Sequence, residues 1–171
     1  ELPEHAVDPT VTWSLFYLKK EQPEEALKTT QKRLYSLVRH VLECLSIMLN
    51  PQIVPDMEQE LKICRVYKTV DTLFGCSGMY DGLFLMIYLQ MNRPEDAEAC
   101  LERYIDALTG PALLPKPFLF SPGLPIKEEA RPASSAELRK MLLKGLEDEQ
   151  YREFLQRPRC QKALERLKAS L

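Results

Sequence analysis

The 171-residue chain is poor in the residue types that catalysis uses most: it has two histidines, His5 and His40, and six glycines. No GxGxxG, GxxxxGK[ST] or HExxH pattern occurs, so neither a phosphate-cradling loop nor a zinc-protease helix is expected. The five cysteines (Cys44, Cys64, Cys76, Cys100, Cys160) are odd in number and lack CxxC or CxxxC spacing, which argues against a disulfide framework and against a tetrahedral metal site. They read as reduced core residues of an intracellular protein, cytoplasmic or nuclear. There is no uninterrupted apolar run of about 18 residues, so no membrane span is expected. Lys and Arg total 23 against 25 Asp and Glu, a formal charge of −2 that gives no global drive toward nucleic acid or anionic lipid. No segment alternates with period two over a useful length, and the fold class is therefore all-α.

What is present is a one-core composition, 45% hydrophobic and 28% charged, laid out with helical periodicity. A short aromatic-rich helix from Val11 ends at Gln22-Pro23, where Pro23 opens a long helix whose first turn holds Glu24 and Glu25. That helix keeps apolar spacing from Leu27 to Met48 until Asn50-Pro51 breaks it. Asp56 caps a third helix that Gly75 stops. Gly78 to Asn92 carries a helix apolar nearly all round, which is expected to lie between neighbours, and Pro94 to Leu108 is amphipathic. Ser134 and Glu137 read as a capping box for a helix through Leu146, and Pro158 opens the last helix. The polar lead-in, and a start at Glu1 without Met, suggest a piece of a longer protein rather than a secreted precursor.

Thirteen prolines are unevenly spread, and six (Pro111, Pro115, Pro117, Pro122, Pro125, Pro132) fall in a 22-residue window. Residues 1–110 therefore form a helical repeat-like region, 111–135 a Pro-rich extended segment packed on the helices, and 136–171 C-terminal helices of the same compact domain. The interior of the Pro-rich segment, with Phe118 and Phe120, is too apolar for a free linker. It is expected to run as a strap along the helices or to serve as a ligand for another protein, while the polar stretch from Lys127 to Ser135 reads as mobile.

Self-similarity gives one clear internal repeat. Tyr17-Leu18, four residues, then Pro23-Glu24-Glu25-Ala26 matches Tyr88-Leu89, four residues, then Pro94-Glu95-Asp96-Ala97, at an offset of 71 residues. With Trp13 and Phe84 joining the two sets, the pattern resembles the tetratricopeptide repeat, a helix–turn–helix unit of about 34 residues. The resemblance implies antiparallel helical hairpins in an array, with an irregular helical bundle as the alternative. The chain departs from the family at Leu85, where the other copy keeps a small residue, Ser14, and at Thr30, Arg33 and Tyr104. The basic and Asn residues with which some members clamp a carboxylate would stand at Val11, Leu15, Gly82 and Met86, and they are absent. Tyr151 to Leu167 is similar to short helical modules that follow such repeats in some co-chaperones.

No catalytic, metal or cofactor-binding residue is expected. His40 with Glu43 and Cys44 at i+3 and i+4 lacks an evident oxyanion-stabilising turn, so Cys44 reads as core or near-core and His40 as a surface or boundary histidine. The chain reads as a non-catalytic scaffold or adaptor, a subunit or domain of a larger complex, binding a partner helix or extended peptide through apolar grooves. The candidate partner-binding residues are Leu15, Leu18, Met79, Met86, Leu89, Phe118 and Phe120. The alternative is a nucleic-acid-associated subunit using residues 136–171, which hold nine basic and six acidic side chains.

Overall fold

A computed structural model describes residues 9–110, 115–124 and 131–171, with the backbone alone for 131–135. The described residues are all helical or irregular. Helix α1 (Pro9–Lys19) pairs with the long α2 (Pro23–Met48), α2 with α3 (Met57–Phe74), α3 with α4 (Tyr80–Gln90), and α4 with α5 (Pro94–Thr109). Successive helices thus pack pairwise, as in a helical-repeat array. A single turn, α6 (Pro117–Phe120), lies on α2. Helix α7 (Arg131–Leu146), a 3₁₀ turn (Glu149–Tyr151), α8 (Arg152–Leu155) and α9 (Pro158–Ala169) then return to α5.

The ends of these helices follow from local chemistry. Asp56 accepts the Glu58 N–H at 3.0 Å to start α3, and Gly75 ends it in the left-handed region at φ 69°. Pro23, Pro94 and Pro158 each sit in the first turn of a helix, where a missing N–H costs nothing. Helix α7 begins at Arg131, so Ser134 and Glu137 lie inside its first turns and Ser134 is not its cap.

The repeat is visible in the backbone. Glu21 and Asn92, 71 residues apart, are the two non-glycine residues with positive φ among those described, at 56° and 53°. In each copy the next residue donates back to the tyrosine carbonyl, Gln22 to Tyr17 at 2.9 Å and Arg93 to Tyr88 at 2.8 Å. Ala26 and Ala97 are both buried at the crossing that follows, where a larger side chain would push the helices apart.

The main core joins α3, α4, α5 and the C-terminal helices through residues such as Leu61, Phe84, Leu101, Ile105, Phe154 and Leu167. No residue of α1 or α2 belongs to it. Asp71, fully buried near the end of α3, organises the turn into α4 by accepting from the Ser77 N–H, the Ser77 hydroxyl and the Gly78 N–H at 2.7–2.9 Å. The α5–α9 seam is charged at its rim. Arg157 pairs with Glu95 and Glu98, Arg159 with Glu102, and Arg166 with Asp106 at 2.6 Å.

The Pro-rich segment departs from an extended strap. Its described part makes one helical turn and then a tight reversal, held by α2 and the end of α3. Phe120 is 0% exposed and packs edge-to-face on Tyr35, with Phe74 beside it. Lys116 donates its N–H to the Phe74 carbonyl at 3.2 Å. The buried Gln31 donates from Nε2 to the Ser121 carbonyl and accepts the Gly123 N–H at Oε1, each at 2.8 Å. A Cβ at Gly123 would stand 2.7 Å from the Gln31 Cβ, so the close approach requires glycine there. A single amide side chain therefore satisfies two main-chain groups about 90 residues away, and burying Phe120 contributes about 1.5–3 kcal/mol. Residues 1–8, 111–114 and 125–130, which include most of the polar lead-in and Lys127 to Ala130, lie outside the described residues.

Candidate protein-interaction site

The seven residues expected to meet a partner separate into three groups. Leu15 and Leu18 stand on α1 with more than half of their surface open, beside the exposed Val11, Trp13 and Phe16. Helix α1 has apolar side chains around most of its circumference and buries no residue completely, because α2 covers only one of its sides. Together these side chains make an exposed apolar patch on α1.

Met79, Met86 and Leu89 form the second group. They line a cavity of about 380 Å³ on the outer face of α4, floored by Gly82 and Tyr104 and walled on the far side by Met141, Leu142, Gly145 and Leu146 of α7. The Tyr151 hydroxyl closes one end, donating to the Met86 sulfur at 3.7 Å. Gly82 is needed for packing: a Cβ there would meet the Tyr104 ring at 3.0 Å. Burial alone raises the Tyr104 phenol above its ordinary pKa, so this hydroxyl stays neutral.

Phe118 and Phe120 are two residues apart and have opposite fates. Phe118 is 81% exposed, whereas Phe120 is wholly engaged inside the chain and offers no surface. The helical turn explains the split, since residues two apart on a helix point to different sides.

Leu15 and Met86 are equivalent across the 71-residue repeat, as are Leu18 and Leu89. The face on α4 has a helix of the same chain standing across it. Among the described residues nothing stands across the matching face on α1, whose Leu15 and Leu18 are exposed.

Two expectations about other residues need correction or completion. Cys44 is exposed rather than core or near-core, since it lies off the Val38 and Leu42 stripe that α2 buries and beside the exposed Val41. Cys64, Cys100 and Cys160 are buried, and burial, the largest cause, pushes their thiols up to about 12, 11 and 11. These thiols stay protonated at neutral pH, which makes them poor nucleophiles. Among the described residues no group of three or more His, Cys, Asp or Glu could hold a metal ion, and no helix is long and apolar enough to cross a membrane. The three arginines at or in α9 named above are paired with carboxylates of α5, so part of the C-terminal positive charge is neutralised inside the fold. Gln31 and Glu60, both buried, were not marked by any sequence pattern, since each is one polar residue on an otherwise ordinary helix.

Neither a family model, nor a curated protein, nor a solved structure matches the chain.

Proposed function

We propose that this chain is a non-catalytic, tetratricopeptide-like interaction module of an intracellular complex, and that its α1 face, centred on Leu15 and Leu18, takes an amphipathic helix from a partner protein. The observation that carries this reading is the pairing of equivalent faces. Across Met86 and Leu89 the chain places its own α7, with Met141, Leu142 and Leu146 turned to the groove. Across Leu15 and Leu18 the described residues place nothing, yet the side chains there are equally apolar. Helix-in-groove recognition of this type uses apolar anchors drawn from i, i+3, i+4 and i+7, and Val11, Leu15 and Leu18 stand at i, i+4 and i+7 on one face of α1.

The test is affinity capture with the full chain against Leu15→Glu and Leu18→Glu. The expected result is that proteins retained by the wild-type chain through moderate salt are lost by both variants while far-UV circular dichroism is unchanged. Unfolding of both variants, or undiminished capture, would defeat the reading. Retention that falls steeply between low and moderate salt would instead favour nucleic acid.

A further inference from the structure

A second cavity, of about 530 Å³, lies on the other flank of α4 where the end of α2 meets the start of α3. Its walls are apolar, built from Ile47, Leu83, Met86 and Ile87, and one charged side chain, Glu60, lines it. Ile47 is 61% exposed and Met86 43%, which puts them at the mouth, whereas Glu60 is 2% exposed and lies at the base. The Glu60 Oε1 is buried and has no hydrogen-bond partner among the described residues. An orphan carboxylate oxygen is costly in a folded interior unless something meets it there.

The donor set of the missing partner can be read from the cavity. Desolvation, and secondly the negative charge of Asp56, raise the Glu60 pKa above the ordinary carboxylate value, so an approaching cation relieves both causes. Asn50 and Gln90 also line the cavity; the Asn50 Oδ1 already accepts the Gln52 N–H at 2.9 Å, and the Gln90 amide oxygen is a further acceptor type there. With one unpartnered carboxylate oxygen, Oε1, the site suits a compact ammonium with three rotatable donors, whereas guanidinium prefers a two-oxygen fork. The aliphatic walls suit the four-carbon stem of lysine.

From this geometry we infer that the α2–α3–α4 cavity is a receptor for a lysine side chain presented by a partner protein, with Glu60 taking the ammonium and Ile47, Leu83 and Met86 enclosing the stem. The inference adds a polar specificity element to the interaction module proposed above and rests on that reading for the source of the lysine. The pocket chemistry itself is separable from the α1 face.

The experiment is a titration of the full chain with Nα-acetyl-lysine N-methylamide, followed by the Met86 methyl resonance, with the norleucine and arginine analogues as comparators. The lysine compound is expected to bind at least about ten-fold more tightly than norleucine, the scale of one charge-assisted hydrogen bond, and Glu60→Gln is expected to erase that difference. Ile47→Lys, at the exposed mouth, places an ammonium of the chain's own over the cavity and is expected to block the titration, which keeps the test open if Glu60→Gln misfolds. Equal binding of lysine and norleucine, an undiminished preference in Glu60→Gln, or arginine binding as tightly as lysine would each overturn the assignment. Leu18→Glu is expected to leave the titration unchanged, so a failure of the α1 reading is distinguishable from a failure here.

Discussion

The two helical hairpins, α1–α2 and α4–α5, turn their chains in the same way and bury them very differently. Each has a tyrosine, a left-handed residue four positions later and a buried alanine at the crossing. Yet Trp13 is 55% exposed where its counterpart Phe84 is 7% exposed, and Phe16 is open where Ile87 is buried. Ser14 and Thr30 share a 2.9 Å hydrogen bond at the place where the second hairpin packs the buried Leu85 and Leu101. The second hairpin is flanked by α3 and by the C-terminal helices, whereas the first has α3 and a single turn of the Pro-rich segment. Turn chemistry therefore specifies the hairpin, and neighbours specify what it buries. A polar pair between the helices together with an apolar outer face is the reverse of what an isolated domain would select, which is why the α1 face is the one proposed as an interface.

The largest expected contrast is between Leu101→Ala and Thr30→Ala, equivalent positions in the two copies. Leu101→Ala should lower stability by about 2–5 kcal/mol through lost burial and a residual cavity. Thr30→Ala removes exposed hydroxyl hydrogen bonds and should cost no more than about 1 kcal/mol. Urea midpoints at constant slope measure both, and similar losses would mean that the first hairpin carries as much of the core as the second.

A smaller contrast separates the two outer faces. Met86→Glu sets a charge against Leu89 and Met141 and breaks the Tyr151 contact, at a cost of about 1–2 kcal/mol, whereas Leu15→Glu should stay within about 0.5 kcal/mol. Thermal unfolding of the two variants decides it. A large loss at Leu15 would show that α1 is already covered.

The smallest effect concerns Glu60, on the helix between the hairpins. Its folded-state pKa is raised, by desolvation first and Asp56 second, so the folded chain holds this proton more tightly than the unfolded chain. Its contribution to stability is therefore greatest at low pH and is lost as pH rises from the unfolded value through the raised one. Glu60→Gln should flatten that part of the pH profile and raise stability at pH 7 by at most about 1 kcal/mol. A loss of stability at pH 7 would mean that the carboxylate has a partner in the folded chain.

Much of the fold was legible because its signals are local. Asp56, Gly75 and the prolines at 23, 94 and 158 act within one turn of the residues they organise. The apolar stripe of α2 was legible as a stripe, but Leu27, Leu37, Val41 and Met48 are exposed on it while Val38 and Leu42 are buried. Periodicity places side chains on a face and says nothing of whether a neighbour arrives. The candidate site was legible in the same partial way. Leu15, Leu18, Met86 and Leu89 were found through the repeat, whereas the wall contributed by Met141 and Tyr151 depends on contacts more than fifty residues away.

By itself, then, the sequence determined the helical class, the capped or proline-started ends of the helices at Pro23, Asp56, Gly75, Pro94 and Pro158, and the paired 71-residue turns, since each depends on φ/ψ preferences and hydrogen bonds within a few residues. Only the tertiary structure decided that Phe120 turns inward beside an outward Phe118, that Gln31 holds the main chain of a distant segment, and that Glu60 ends in a cavity with no partner for its Oε1 among the described residues. Those outcomes depend on which surfaces meet, and helix–helix packing chooses among faces that local preference leaves equivalent.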